Sequence, residues 1–418
     1  MGVPRGTLHL YATRHSRASY EVRDFLTRSV VRFASTTIDS DAQCAGLLNA
    51  SMADAGLPVV ELPDGTLVRE ATVESLARAL GWVTAPRLRE YDLSIYGAGP
   101  AGLSAAVYAA SEGLRVVVVE KEAVGGQADS SSLIENYLGF PRGITGAELA
   151  ERARQQAVSF GAEFLLMREG LRGTFTERGI RGELADGTPL EARANICATG
   201  ISWRRLGLDG EDRLLGNGLY YGAGTSEAPE CTGEHVLVVG GANSAGQAAM
   251  NLAAHAASVT LVVRGAGLSE TMSSYLVERI AAEPRIRVAA DTRVVGLLGD
   301  GELTGAVLDG PDGRAEVATG RLFVCIGGEP DTSWTVPTPI VRDDNGFLLT
   351  GPDLTPEQLE GRWPLERPPF YLETSVPGSF AAGDVRANSV KRVASAVGEG
   401  AMAVTFVHRH LAALRERG

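Results

Sequence analysis

The chain has 418 residues, enough for two to four domains, and its 51 glycines suit the turns of an α/β fold. A net charge of −12 lacks the basic footprint that nucleic-acid binding needs and disfavours an acidic protein partner. The four cysteines (Cys44, Cys197, Cys231, Cys325) never stand two apart, no Cys/His cluster has zinc spacing, and no apolar run is long enough to cross a bilayer, so we expect no metal, no membrane contact and a cytoplasmic protein.

Residues 1–82 read as a small βαβ-type unit. Leu8-His9-Leu10-Tyr11 is a strand, Tyr20 to Thr27 is helical, Leu57-Pro58-Val59-Val60 begins another strand, and Val73 to Leu80 is a helix. Residues 83–90, with Pro86 and Arg87-Leu88-Arg89-Glu90, form a connector. Leu93-Ser94-Ile95-Tyr96 then opens a strand, Gly-turn, helix, strand sequence that ends at Glu120. The plan repeats with Val236-Leu237-Val238-Val239, a helix through Ala254, and Val259 to Arg264. Phe323 to Ile326 and Ser379 to Asp384 return the chain to the earlier region, so one domain interrupts another. Pro352 to Pro369 reads as a surface loop, and Cys197 and Cys325 lie in apolar strand-like runs as core thiols.

The first glycine turn is Gly97-Ala98-Gly99-Pro100-Ala101-Gly102. Gly97 permits the tight turn, Gly99 lets the backbone approach a pyrophosphate, and Gly102 lets the helix pack on the strand. The helix N-terminus supplies amides for the phosphates, and Glu120 stands where a carboxylate takes ribose hydroxyls. Strand, helix and acid together read as a dinucleotide site.

Further motifs follow in order: Gly125-Gly126-Gln127, Glu135 to Pro141 (Glu-Asn-Tyr-Leu-Gly-Phe-Pro), Ala198-Thr199-Gly200, Ala381-Ala382-Gly383-Asp384-Val385 and Lys391-Arg392-Val393-Ala394. With the first turn, residues 91–204 and 320–418 closely resemble the FAD domain of the thioredoxin reductase family. The resemblance implies FAD held by Gly97, Gly99, Pro100, Ala101, Gly102, Glu120, Lys121, Gly126, Gln127, Asn136, Ala198, Thr199, Gly200, Gly383, Asp384, Arg392 and Val393. Asp384 would meet the ribityl chain, and the helix from Val393 would aim its N-terminus at the flavin pyrimidine. The family commonly has Gln where this chain has Arg392. That cation either favours the anionic reduced flavin or pairs elsewhere.

The second turn reads Gly240-Gly241-Ala242-Asn243-Ser244-Ala245, where the resemblance implies an NADPH site. Ala242 replaces the glycine that lets the pyrophosphate come close, and Arg264 alone remains of two adjacent arginines that grip a 2′-phosphate. NADPH is therefore expected from Gly240, Gly241, Asn243, Ser244, Ala245 and Arg264, with weakened binding; the alternative is a domain that keeps its fold without the ligand.

The family places a Cys-x-x-Cys ahead of the second turn. Here the chain reads Tyr220-Tyr221-Gly222-Ala223-Gly224-Thr225-Ser226, so the pair aligns with Gly222 and Thr225, or with Ala223 and Ser226. Tyr220, Tyr221, Thr225 and Arg392 are candidates to line the flavin, the tyrosines alternatively packing as core; no catalytic base stands out. Residues 7–82 resemble a glutaredoxin-like domain of the thioredoxin fold, with Ser16 and Ser19 at its two cysteine positions, Leu57-Pro58-Val59 at its cis-proline segment and Asp64-Gly65 at a hairpin turn. Such a domain, redox-inactive, would bind a protein partner, dimerise or cover the flavin; His15 is either a base or a solvated loop residue.

The expected architecture is α/β: two Rossmann-like three-layer nucleotide-binding domains, FAD (91–204 and 321–418) interrupted by NAD(P)H (205–320), after an N-terminal thioredoxin-fold domain (1–82). The expected function is an FAD-dependent oxidoreductase without a redox dithiol, whose flavin passes hydride or electrons directly between NADPH, or a small organic substrate, and an acceptor. Alternatives are a nicotinamide-independent flavin oxidase or dehydrogenase, a ferredoxin–NADP reductase-like enzyme, and a non-enzymatic flavin sensor or scaffold. A homodimer is implied by the resemblance.

Overall fold

The N-terminal strand β1 (Leu8–Ala12) buries Leu8, Leu10 and Ala12, and Ser16 caps helix α1 (Arg17–Arg28) by accepting the Ser19 backbone N–H at 3.3 Å. Val22, Phe25 and Leu26 form the buried stripe of α1. β2 (Phe33–Thr37), α2 (Asp41–Leu48), β3 (Val59–Glu61), β4 (Leu67–Val68) and α3 (Val73–Ala79) follow. The sheet order is β2-β1-β3-β4, with β1 parallel to β2 and antiparallel to β3, and β3 antiparallel to β4. The Leu57–Pro58 peptide is cis. β2 and α2 carry no strong periodic signal and went unread in the sequence.

The computed structural model describes every residue except 1–5, 15, 130, 132, 177–178, 223–226 and 418. Its contacts divide the chain into two units, Met1–Leu80 with Ser130–Leu133 and Trp203–Gly327, and Gly81–Asp129 with Ile134–Ser202 and Gly328–Gly418.

The second unit is built on β5 (Glu90–Tyr96), α4 (Pro100–Ser111), β6 (Val116–Glu120), α5 (Gly146–Ser159), β7 (Glu163–Leu166), β8 (Gly170–Thr176), β9 (Gly179–Leu184) and β10 (Pro189–Cys197). Its sheet runs β7-β6-β5-β10-β9-β8. β5, β6, β7 and β10 are parallel and covered on both faces, hence the unbroken Val116 to Val119 run. β8, β9 and the start of β10 form an antiparallel meander that the sequence reading did not anticipate.

In the first unit, β11 (Leu219–Tyr221), β12 (His235–Val239), α6 (Asn243–Ala253), β13 (Ser258–Val262), α7 (Ser274–Ala282) and β14 (Ile286–Ala289) precede a three-stranded meander of β15 (Arg293–Leu298), β16 (Gly305–Gly310) and β17 (Gly313–Ala318). β18 (Arg321–Val324) closes a parallel sheet of order β11-β18-β12-β13-β14. Within this unit α1 packs on that sheet's core: the Tyr20 and Tyr220 rings lie 5.2 Å apart, and Arg23 Nη1 meets Glu230 Oε1 at 2.5 Å.

In the second unit β19 (Ser379–Ala381) pairs in parallel with β10, and α8 (Val393–Arg417) ends the chain. α8 lies against α4, and a Cβ on Gly400 would fall 2.1 Å from the Ala101 carbonyl oxygen. The expected loop at 352–369 contains the short helix Pro356–Leu359, whose Thr355 cap and Gln358 side chain close a reciprocal capping box. Among the described residues no helix is long and apolar enough to cross a membrane, and no cluster of His, Cys, Asp and Glu could hold a metal.

Candidate functional site

The first glycine turn packs without slack. Gly97 sits at φ +100°, and a Cβ there would lie 2.3 Å from the Ala198 carbonyl oxygen. A Cβ on Gly102 would lie 1.9 Å from the Gly97 oxygen. Gly99 is different: nothing comes nearer to its Cβ position than Gly126 Cα at 4.0 Å. Gly99 starts α4 without a side-chain cap, which leaves the first-turn amides for a ligand. This uncapped terminus, with room in front of Gly99, fits a dinucleotide pyrophosphate.

Of the other expected residues, Glu120, Gly126, Ala198 and Gly383 stand against that turn. Gly125 N–H donates to Ala98 O at 2.8 Å, and Ala198 N–H donates to Tyr96 O at 2.8 Å. A Cβ on Gly126 would stand 3.1 Å from Gly99 Cα, and one on Gly383 2.9 Å from Ala101 Cβ. Gln127 Nε2 donates to Ile201 O at 2.7 Å, Lys121 Nζ lies 3.3 Å from Asp331 Oδ2, and Gly200 takes φ +68° beside the exposed Thr199. Asn136 is exposed on the loop closed by the Ile134–Ile144 bridge. That loop borders a cavity of about 600 Å³ lined in part by Pro100, Ser104, Gly125, Tyr137, Phe140 and Val397. Arg392 is exposed, its Nη1 donating to Lys391 O at 3.2 Å, and Val393 begins α8.

Glu120 is buried with both oxygens engaged: Oε2 accepts from Ala98 N at 2.7 Å and Oε1 from Glu122 N at 2.8 Å. It ties the turn to the end of β6. Burial raises the pKa of Asp384, and the Glu399 carboxylate adds to the rise while Lys391 opposes it. Lys391 Nζ donates to Asp384 O at 2.5 Å, and burial lowers its own pKa.

The second turn repeats the first. Gly240 sits at φ +143° with a Cβ position 2.3 Å from Cys325 O, and Ala242 starts α6 without a side-chain cap. Asn243 Oδ1 accepts from Ser273 N at 2.7 Å and Thr271 Oγ1 donates to Gly241 O at 2.8 Å, so the 271–273 segment is fastened to the turn. Ala245 is fully buried, while Ala242, Ser244 and Arg264 are exposed.

Tyr220, a candidate to line the flavin, is buried in the core of the first unit. Its ring stacks on Phe323 at 5.0 Å and meets Tyr20 on another side, and its hydroxyl accepts from Arg321 Nη1 at 2.9 Å. Tyr221 donates from its hydroxyl to Glu211 and accepts the Leu206 N–H at 2.9 Å. Both are packing residues, because parallel pairing with β18 turns them into the unit's cores. Thr225, with Ala223, Gly224 and Ser226, lies outside the described residues, as does His15. Cys325 Sγ donates to Gly222 O at 3.2 Å and Cys231 Sγ to Glu227 O at 3.4 Å; burial pushes both thiols up to about 12.

Sequence reasoning missed Arg386 and Glu399. They are 13 residues apart on a loop and a helix, and only the fold joins them, with Arg386 Nη2 2.7 Å from Glu399 Oε1. The nearest signal in the sequence is the acid set between two glycines, Gly398-Glu399-Gly400.

Residues 91–400 match the family described as pyridine nucleotide-disulphide oxidoreductase. A thioredoxin reductase of Treponema pallidum is 34% identical over 317 residues, covering 75% of this chain and 95% of that protein. Another, from Peptoclostridium acidaminophilum, is 33% identical over 334 residues, covering 77% and 98%. The crystal structure of T. acidophilum thioredoxin reductase superposes with a TM-score of 0.68 at 29% identity, over 77% of this chain and 99% of that one. The two nucleotide-binding α/β regions are thereby those of the thioredoxin reductase fold. These relatives correct the expectation of a flavin oxidoreductase working without a dithiol on small substrates, and its oxidase, ferredoxin-reductase and sensor alternatives. That expectation rested on a few residues at 220–226, whereas the similarity to thioredoxin reductases extends over three quarters of the chain and points to their reaction.

Proposed function

The chain belongs to the pyridine nucleotide-disulphide oxidoreductase family, and we propose that it catalyses the thioredoxin reductase reaction, passing two electrons from NADPH by way of FAD to the disulphide of a protein partner. The observation that carries this reading is the 34% identity to a thioredoxin reductase over 95% of that relative's length. The balance is one NADPH, one proton and one disulphide giving NADP⁺ and two thiols.

Each unit has its part. The α4 N-terminus, Gly99 and Glu120 would hold the FAD pyrophosphate and ribose, with Asp384 and Arg392 toward the ribityl chain and ring. The α6 N-terminus would hold the NADPH pyrophosphate, with Arg264 on its 2′-phosphate. Bound FAD supplies hydride acceptance and disulphide reduction. Cys231 and Cys325, buried and protonated, serve here as packing and hydrogen-bonding thiols, since exchange requires a thiolate. The route from the flavin to the partner's disulphide is thus the step on which a test must bear.

For residues 1–82 the order β2-β1-β3-β4, with one parallel and two antiparallel pairings, supports a thioredoxin fold. Ser16 there is a helix cap and Ser19 is buried, which suits a binding unit without redox chemistry. The division into domains at 82, 204 and 320, and a homodimer, belong to the same proposal.

Anaerobic NADPH should bleach the flavin band near about 450 nm. Adding oxidised thioredoxin should then restore it, with one NADPH consumed per disulphide. Bleaching that no disulphide protein reverses would sink the proposal.

A further inference from the structure

The Glu399 carboxylate ties the loop bearing Asp384 to α8, the helix that packs on α4. Glu399 lies on the second turn of α8. Its Oε2 accepts the Gly383 N–H at 2.7 Å and its Oε1 accepts Arg386 Nη2 at 2.7 Å and the Ser389 hydroxyl at 3.3 Å. Arg386 Nε adds a contact to Oε2 at 3.3 Å, making the pair a fork. Its Nη1 donates to Ala387 O at 3.0 Å and lies 3.6 Å from Asp353 Oδ2. Side-chain exposure is 5% for Arg386 and 12% for Glu399. On the other side of the same helix segment, Ser104 Oγ donates to Val397 O at 2.7 Å, and Gly400 meets the Ala101 backbone. The helix that begins the FAD cradle, the loop bearing Asp384 and the start of α8 are therefore held in one frame.

We propose that Glu399, paired with Arg386, is a positioning residue for FAD: it fixes the Gly383–Asp384 backbone against α4 and α8 and sets the charge that the ribityl-side carboxylate and the flavin experience. A buried ion pair can be replaced by apolar residues at little cost, while loss of one partner is costly. What apolar residues cannot replace is the acceptor for the Gly383 N–H, which stands at φ +79° against Ala101. The rise in the Asp384 pKa, to which Glu399 contributes, agrees with this placement.

The inference rests on the FAD reading of the second unit. The test uses the full chain reconstituted with FAD, and the variants E399Q, R386K and R386L/E399L. FAD dissociation is read by recovery of flavin fluorescence, the midpoint potential by spectroelectrochemistry, and stability by urea unfolding of the flavin-free chains. E399Q is expected to weaken FAD about tenfold and to raise the potential, because one negative charge is lost beside Arg386; a tenfold preference for reduced over oxidised flavin is about 30 mV for two electrons. R386K keeps the charge but loses the fork and should weaken FAD about threefold. The double variant should recover part of the urea stability lost in the single variants but not FAD affinity, since the Gly383 N–H stays without its acceptor. Recovery of both together, or FAD affinity and potential unchanged in E399Q and R386K, would overturn the positioning role. Failure of the unsubstituted chain to bind FAD would instead overturn the cofactor reading itself.

Discussion

Gly97 and Gly240 occupy the same point in two turns. Each ends a central parallel strand at positive φ, and a Cβ on either would stand 2.3 Å from a carbonyl oxygen, of Ala198 in one unit and of Cys325 in the other. Three positions into the helix the turns part. Gly102 has no room for a Cβ, while Ala245 is accommodated with no exposure. Between them, Gly99 (φ −72°, ψ −177°) and Ala242 (φ −102°, ψ −179°) share an extended conformation open to any residue. The comparison separates two demands on glycine. At the strand end it is the chain's own geometry that requires it; at the helix cap only an approaching ligand does.

The largest effect should come from Gly102→Ala. Its Cβ would collide with backbone, which flexes little, so about 3 kcal/mol of stability should be lost along with FAD. Urea unfolding with flavin release as a second probe measures it; the reverse change, Ala245→Gly, should cost only about 1 kcal/mol. Next is Gly240→Ala. It should weaken NADPH at least about tenfold while FAD content stays native, since the clash is confined to the first unit. If FAD is lost as well, the two turns are not independent. Arg264→Ala is third: it removes one charge-assisted phosphate contact, expected at about tenfold, or 1.4 kcal/mol, on NADPH and nothing on NADH. Equal weakening of both nucleotides would mean that Arg264 does not read the 2′-phosphate.

Both turns were legible in the sequence because strand, glycine spacing and helix are contiguous there. So were the parallel strands, whose burial on both faces leaves runs such as Val116 to Val119. What depended on distant pairing was not legible. Tyr220 sits next to a motif position, yet its partners are Phe323, Arg321 and Tyr20, the last 200 residues away. Arg23 and Glu230 meet across a similar interval. The β8–β9 meander lacks clean alternation because Gly170, Gly173, Gly179 and Gly182 interrupt it; at Gly182 a Cβ would come 2.6 Å from the Tyr96 hydroxyl. The reaction is not legible at 220–226, because a local change there is outweighed by similarity spread over some 300 residues.

Ala242→Gly sharpens the comparison most, although its effect is the smallest. Ala242 is exposed and its backbone is extended, so removing the methyl relieves no strain. Glycine ranks above alanine at a helix N-cap, so stability should not fall and should rise by at most about 1 kcal/mol. The one consequence left is access: a pyrophosphate gains closer approach to the α6 amides, and NADPH and NADH should both bind about three- to fivefold tighter, roughly 0.6–1 kcal/mol. Gly99→Ala is the mirror experiment. Its Cβ meets nothing nearer than 4.0 Å, so the second unit should fold as before and bind FAD more weakly. Titration of both variants by flavin and nicotinamide fluorescence decides the matter. Tighter nucleotide in the first and weaker FAD in the second would place the ligand against the cap residue in both units. An unchanged NADPH affinity in Ala242→Gly would show that the phosphates stand off from the second turn, and that its helix terminus is held by the 271–273 segment rather than by the nucleotide.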